Sequence, residues 1–266
     1  MEIKHIFTDM DGTLLNVRGA LAETDRWAIY YSNLPITLVS SRSPIEMQPV
    51  IEQLQLSAPQ VAFNGNLTFI KNRFGIEILD KHILSPTLVT QLLDFIEKEY
   101  PQISLSWYSM THWYIKKQDK AVFYKKALTG MEPKLKHFEG QSEIYKIMMM
   151  SFNPADLEKL QEALDQLNLE NVTIRRADAY TLEITSNVGS KVAAAQQILL
   201  NEKLTFEESA AIGDSINDLS LLQAVGFGIA VENASPSIKA HVKMVVAKNT
   251  EHGVAEALSA IHDFNE

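Results

Sequence analysis

Short apolar runs separated by amphipathic stretches set the outline of this chain. Residues 3–8 are apolar and stop at Asp9-Met10-Asp11-Gly12, which predicts a strand ending in an acidic turn. Thr24 and Asp25 stand where helix caps belong, ahead of Trp27, Ile29 and Tyr30, and Pro35 closes that helix. Residues 35–39 predict a second strand, followed by Ser40-Ser41-Arg42. A helix over 44–54 and a third strand over 60–63, ending at Asn64-Gly65, come next. Short apolar runs alternating with helices of about 11 residues point to βαβ units around a buried parallel sheet.

The middle of the chain changes pattern. Residues 104–109 and 113–117 alternate polar and apolar around Met110-Thr111-His112, as an antiparallel hairpin does. Residues 145–152, 172–176 and 182–184 add strands, with a helical period over 154–167. Residues 82–186 therefore read as a separate α+β unit whose sheet has one solvated face. From Ser190 the first pattern resumes: a helix, a strand over 209–212, Asp214, a helix, strands over 228–231 and 244–246, and a last helix. The economical organisation is an α/β domain, 1–81 with 187–266, interrupted by the 82–186 unit.

Composition narrows the function. The 266 residues are 46% hydrophobic and 21% charged, as in an ordinary globular protein with a sizeable core. Against 33 acidic side chains stand 24 basic ones, a net charge of −9, which argues against nucleic acid or anionic membranes as partners. With no cysteine there is no disulfide, thiolate metal site or cysteine nucleophile. No apolar run approaches the ~20 residues that span a bilayer. Met1-Glu2-Ile3-Lys4-His5 carries no signal-peptide hydrophobic region. The expectation is a soluble cytoplasmic protein.

In a parallel α/β sheet, ligands bind beyond the carboxyl ends of the strands. Four predicted strand ends carry polar groups: Asp9 with Asp11, Ser40, Asn64, and Asp214 with Asn217 and Asp218. Lys191 opens the helix that follows the middle unit. Several carboxylates at one edge repel unless a hard cation sits among them, and such oxygen ligands suit Mg²⁺ completed by water and a substrate phosphate. Taken singly, each piece has a simpler explanation. Asp-Gly and Asn64-Gly65 are turn dipeptides, Ser40 alone would cap a helix, and Lys191 alone would be a solvated lysine. Their conjunction at strand ends, in order, carries the chemistry.

Asp9-Met10-Asp11-Gly12-Thr13 resembles the DxDGT signature of the haloacid dehalogenase superfamily. Val39-Ser40-Ser41-Arg42, Asn64-Gly65, Lys191 and Gly213-Asp214-Ser215-Ile216-Asn217-Asp218 are similar to its later motifs in order and spacing. The position of the insertion resembles the Cof-like phosphatases with a large α/β cap, and Ala230-Val231-Glu232-Asn233-Ala234 and Asn249 to Val254 resemble their C-terminal segments. There are two departures. Ser40-Ser41-Arg42 stands where the family usually has Thr-Gly-Arg, which keeps the hydroxyl but adds a Cβ at position 41. Glu232 replaces a usual glycine.

The resemblance implies a Rossmann-like core of mainly parallel strands plus an inserted cap. It implies Asp9 as nucleophile and Asp11 as general acid and base. Mg²⁺ would be held by the Asp9 and Asp214 carboxylates and the Asp11 carbonyl. Ser40, Ser41, Arg42, Asn64 and Lys191 would bind phosphate, and Asn217 and Asp218 would orient Lys191 or metal-bound water. The implied substrate is a small phosphorylated metabolite, a sugar or cofactor phosphate, with the cap left to choose it. A phosphomutase needs the same aspartate pair and is separated by release of free phosphate. A non-catalytic phosphate-binding protein would normally have lost Asp9, Asp11 or Asp214. A signalling receiver domain places its phosphorylated aspartate after the third strand, not the first. Met148-Met149-Met150 is expected to be packing, because thioether is a poor ligand for hard cations. Trp107, Tyr108, His112, Trp113 and Tyr114 are divided between cap core and substrate contact. None of these patterns sets an oligomeric state.

Overall fold

A computed structural model describes residues 2–140 and 143–266. The chain opens with β1 (His5–Thr8), α1 (Glu23–Tyr31), β2 (Ile36–Leu38), α2 (Pro44–Leu54), β3 (Gln60–Ala62), β4 (Leu67–Asn72) and β5 (Gly75–Lys81). It continues with α3 (Pro86–Glu99), β6 (Ser104–Tyr108), β7 (Trp113–Ile115), α4 (Lys120–Thr129), β8 (Lys134–Leu135), β9 (Lys146–Met150), α5 (Pro154–Gln166), β10 (Val172–Asp178) and β11 (Thr181–Ser186). It ends with α6 (Lys191–Glu202), β12 (Ser209–Gly213), α7 (Leu219–Ala224), β13 (Phe227–Val231), α8 (Pro236–Lys239), β14 (Met244–Val246) and α9 (Gly253–Asn265). Two compact units result. The first is Met1–Arg42, Met47–Asp80 and Gly189–Glu266; the second is Lys81–Val188 together with Ser43–Glu46. Ser43 and the first three residues of α2, inside the predicted first domain, thus group with the second unit.

In the first unit a parallel sheet has the order β14-β13-β12-β1-β2. Strands β1, β2 and β12 are buried at every position, which is why they read as continuous apolar runs rather than alternating ones. On one face Phe7, Ala211 and Ala230 pack with Ala195, Ile198 and Leu199 of α6 and Leu221 and Leu222 of α7. β3 joins through a parallel bridge between Val39 and Val61, then pairs antiparallel with β4 in a small sheet β3-β4-β5. No sequence signal marked β4 and β5, and β5 lies largely exposed, without a buried stripe to read.

The predicted caps of the first helix are corrected by the structure. Thr24 and Asp25 lie inside α1, whose N-cap is Ala22 with no side-chain hydrogen bond. Asp25 is buried, and its Oδ1 accepts from the Ala255 backbone N–H at 2.8 Å, so it caps α9 instead. Capping chemistry was present; its target lay far along the chain.

The second unit is built on a six-stranded sheet, β10-β11-β9-β6-β7-β8, antiparallel except where β8 runs parallel to β7. Helices α3 and α5 each start at a proline behind a capping side chain, Ser85 and Asn153. Their apolar stripes cover one sheet face, where Val89, Leu92, Ile96, Leu157 and Leu160 meet Leu105, Trp107, Ile147, Met149 and Ile184. The expected solvated face is not there. β6, β9 and β11 are buried at every position, including Ser104, Ser106, Lys146, Thr181, Glu183 and Thr185 opposite the helices. Several of these polar residues have protein partners. Lys146 Nζ donates to Glu183 Oε1 at 2.8 Å, and Ser104 Oγ to Asp119 Oδ1 at 3.0 Å. Among the described residues, no helix is long and apolar enough to cross a membrane.

Candidate active site

The carboxyl ends of β1, β2 and β12 carry the predicted residues. Asp9 directly follows β1, its backbone N–H donating to Ile212 O at 2.9 Å. The loop then turns at Gly12 (φ +83°), where a Cβ would sit 2.5 Å from Asp214 Oδ2, so this turn admits only glycine. Thr13 Oγ1 donates to Asp214 Oδ1 at 2.8 Å. Asn233 Nδ2 donates to Gly12 O at 2.7 Å. Asn249 donates its N–H to Asn233 Oδ1 and its Nδ2 to Leu15 O. The aspartate loop is thus tied down along its length.

After β2, Ser40 N–H donates to Val61 O at 2.9 Å, and Ser40 Oγ accepts from the Arg42 N–H at 3.2 Å. Ser41 is not among the residues with left-handed backbone, so the added Cβ meets no conformational penalty there. Arg42 holds the second aspartate as a fork, Nε to Asp11 Oδ2 at 2.8 Å and Nη2 to Asp11 Oδ1 at 2.6 Å. Such a bidentate pair fixes the carboxylate's plane as well as its place.

The Asn64 turn is strained. Phe63 (φ +51°) and Asn64 (φ +59°) are both left-handed, at a cost of about 1–3 kcal/mol each. Phe63 N–H bonds Arg42 O and Asn64 N–H bonds Ser40 O, which keeps the turn against the Ser40 loop. Asn64 Oδ1 is buried without a hydrogen-bond partner. Gly65 follows, so close to α6 that a Cβ would lie 2.2 Å from the Ser190 carbonyl carbon. Ser190 caps α6, and Lys191 opens it. Lys191 is 4% exposed and not the solvated lysine its position alone suggests. Its Nζ donates to Asp9 Oδ1 and to Asp218 Oδ1, both at 2.6 Å. Asp218 Oδ2 accepts from Ser215 Oγ–H at 2.8 Å and from the Ser215 N–H at 3.0 Å. Asn217 does not reach Lys191; its Oδ1 is buried and unpartnered.

Asp9, Asp214 and Asp218 each offer an oxygen within 4.8 Å of the others. Burial drives the Asp9 carboxyl well above its ordinary range; Lys191 opposes the shift, and Asp218 and Asp214 add to it. Burial likewise pushes Asp214 up to about 6, against the Thr13 hydrogen bond. For Asp218 burial is outweighed by Lys191 and the Ser215 hydrogen bonds, and its carboxyl is lowered. Lys191 is pulled down by burial but held above its usual value by Asp218 and Asp9. Three crowded carboxylates answered by one ammonium, all with oxygen donors, fit a hard divalent cation of the Mg²⁺ type.

Sequence reasoning named Asp9, Asp11, Ser40, Arg42, Lys191, Asp214 and Asp218, and of their mutual bonds only that of Asp218 with Lys191. It gave no role to Thr13, Ser215, Asn233 or Asn249. Each lies in a quoted motif, but except for Ser215, whose partner Asp218 is three residues on, the partner is set by tertiary structure, up to 234 residues away for Asn249.

Residues 6–258 match the haloacid dehalogenase-like hydrolase family. The chain belongs to that family and is an enzyme, a phosphoric monoester hydrolase. It is 26% identical over 289 residues to the 5-amino-6-(5-phospho-D-ribitylamino)uracil phosphatase YwtE of Bacillus subtilis, covering 95% of this chain and 96% of that one. Phosphatase YwpJ of Bacillus subtilis is 24% identical over 291 residues, covering 96% of this chain and 99% of its own. In fold, the chain is similar to a haloacid dehalogenase-like hydrolase from Bacteroides thetaiotaomicron. Their TM-score is 0.89 at 23% identity, over 98% of this chain and all of the other.

Proposed function

We propose that this enzyme is a Mg²⁺-dependent phosphatase that hydrolyses small phosphorylated metabolites, sugar or cofactor phosphates, through an aspartyl-phosphate at Asp9. The observation that carries the reading is Lys191, buried between Asp9 and Asp218 at 2.6 Å from each, with Asp214 completing the cluster. YwtE, whose name gives a phosphoribityl compound as its substrate, supports the substrate class. The Asp9 and Asp214 carboxylates and the Asp11 carbonyl would hold the cation, which supplies charge neutralisation at the transferring phosphoryl group.

Asp9 attacks phosphorus, an acyl-phosphate bond forms, and the bond to the leaving oxygen breaks. Asp11, protonated once it leaves the Arg42 fork that holds it here, gives its proton to that oxygen. Water then attacks the same phosphorus, Asp11 takes the proton back, and inorganic phosphate leaves as the Asp9 carboxylate is restored. Lys191 and the Ser40 hydroxyl meet the phosphoryl oxygens. Asp218, gripped by Ser215, keeps Lys191 extended toward Asp9. Ser41, Asn64 and Asn217 line this loop set, and the unpaired Asn64 oxygen is suited to a phosphoryl-bound water or a substrate hydroxyl. Residues 82–186 act as the cap that selects among leaving groups.

Substitution separates the two aspartates. Asp9→Asn is expected to bring turnover to background with no labelled phosphoenzyme. Asp11→Asn keeps nucleophile and carbonyl and should lose on the order of 10²–10⁴ in rate. Free phosphate release from a panel of metabolite phosphates is the assay. Wild-type turnover in Asp9→Asn overturns the covalent route, and isomerised substrate without free phosphate replaces hydrolysis by a mutase reaction.

A further inference from the structure

The first turn of α2 carries a buried carboxylate that the reaction does not use. Glu46 has 1% of its side chain exposed. Its Oε2 accepts from the Ser43 N–H at 2.9 Å and from the Ser43 Oγ–H at 2.8 Å. A glutamate three residues past a serine often reaches back in this way, in a capping box at a helix start. Here the charge is inside the protein. Burial alone would push the Glu46 carboxyl up. Lys125 of α4 and Lys146 of β9, with the Ser43 hydrogen bonds, instead hold it below the usual carboxylate range. Lys125 Nζ stands 3.7 Å from Glu46 Oε1. Lys146 also pairs with Glu183 at 2.8 Å and lies 4.8 Å over the Tyr108 ring. Glu46, Lys125, Lys146 and Glu183 make a charge-balanced set, and all four belong to the second compact unit.

The chain neighbours of Ser43–Glu46 do not belong to that unit. Ser43 is bonded directly to Arg42, whose guanidinium grips both Asp11 oxygens and whose N–H meets Ser40 Oγ. The turn bearing Ser40 and Arg42 is therefore held from two directions. Phe63 and Asn64 hold it by backbone hydrogen bonds, and Glu46 holds it through Ser43.

We infer that Glu46 is a positioning residue for phosphate binding: hydrogen-bonded to the Ser43 N–H and hydroxyl and paired with Lys125, it fixes Ser43 and so sets where Ser40 and Arg42 stand. Glu46 touches no substrate. It makes the phosphate-binding turn answer to two lysines that lie far along the chain, on α4 and β9. The inference rests on the phosphatase reading above.

The test compares wild type, Glu46→Gln, Glu46→Asp, Lys125→Met and the double variant Glu46→Gln/Lys125→Met in the full-length protein with Mg²⁺. The probes are hydrolysis of p-nitrophenyl phosphate and calorimetric titration with inorganic phosphate. Gln keeps an acceptor for Ser43 and removes only the charge. Glu46→Gln is expected to raise KM about tenfold and weaken phosphate binding by a similar factor, the size of one coupled interaction, with kcat changed about twofold at most. Glu46→Asp recovers part of the loss. Lys125→Met, at a quarter-exposed position that folding tolerates, shows a smaller rise in KM, and the double variant is no worse than Glu46→Gln alone. Unchanged KM with kcat and Tm falling together means a merely structural glutamate and overturns the inference, as do fully additive effects of Glu46 and Lys125. A wild type that neither releases nor binds phosphate sinks the phosphatase reading and this inference with it. A fully active wild type with an indifferent Glu46→Gln sinks the inference alone.

Discussion

Each unit of this protein buries a cluster of charge, and the two clusters are built on opposite rules. At the strand ends of the first unit, Asp9, Asp214 and Asp218 face one ammonium, Lys191, and negative charge is left over. In the second unit, Lys146 and Glu183 pair on the sheet and Lys125 of α4 stands against Glu46 of α2. The surroundings differ as well. Lys146 and Glu183 stand on paired strands, β9 and β11, in regular antiparallel register. The Lys191 cluster sits among loops with two successive left-handed residues and two buried, unpartnered amide oxygens, on Asn64 and Asn217. Buried charge alone therefore does not mark a reaction centre. Uncompensated charge, strained backbone and unsatisfied polar atoms together do, because a folded chain tolerates them only where something else completes them.

The comparison breaks most sharply on metal removal. EDTA is expected to reduce phosphate release to background and Mg²⁺ to restore it, because the surplus negative charge lies in the first unit alone. Full turnover in metal-free buffer would show that the imbalance has no cation to meet. The effect of pH has a worked sign. Burial raises Asp214 from an ordinary 3.8 to about 6, so without metal the fold favours its protonated form. Metal-free stability from this group thus declines as pH rises from 3.8 to about 6. Mg²⁺ needs the ionised carboxylate, so its affinity declines as pH falls through about 6. Calorimetric titration with Mg²⁺ at a pH above and a pH below that value measures this directly, and equal affinities would refute it.

The balanced cluster is tested by unbalancing it. Lys146→Met strands Glu183 inside the protein and should cost about 3–5 kcal/mol in chemical denaturation, whereas Lys146→Met with Glu183→Leu should return to near wild type. A double variant as unstable as the single one would mean the pair itself, and not its charge balance, holds the sheet. The smallest expected effect is at Asp25. Removing the α9 cap with Asp25→Ala should cost about 1 kcal/mol and leave activity intact.

How far the sequence was legible follows from the same contrast. The parallel strands of the first unit were read within a residue or two because they are buried on both faces and carry unbroken apolar runs. Asp9, Asp11 and Asp214 were found because each follows such a run at a motif, and Lys191 because it opens the helix that resumes the first pattern. The second unit's sheet was misread as half-solvated. Ser104 and Ser106 gave a polar alternation, and nothing local says that Lys146 and Glu183 will pair inside the protein. Asp25 was misassigned for a related reason, since a capping side chain looks the same whether it caps its own helix or one 230 residues away. Partners of that kind are a property of the fold and leave no periodicity behind.

The pairing of β1 with β12 also constrains how the molecule comes into being. His5 lies beside Ser209, so β1 waits for a neighbour more than two hundred residues downstream. On a ribosome, β1 and β2 emerge first, and the edge of β1 that will receive β12 stays unsatisfied while the whole second unit is made. The pairings within that unit, from the hairpins of β6 with β7 and β10 with β11 to β6 with β9, span far fewer residues, so its strands can meet before the catalytic sheet is complete. Nascent chains therefore pass through a stage with one finished domain and one open β-edge, where chaperones or premature pairing between chains would act. Pairing of β12 with β1 also brings Asp214 to the Asp9 strand end, so the site cannot exist before that pairing forms.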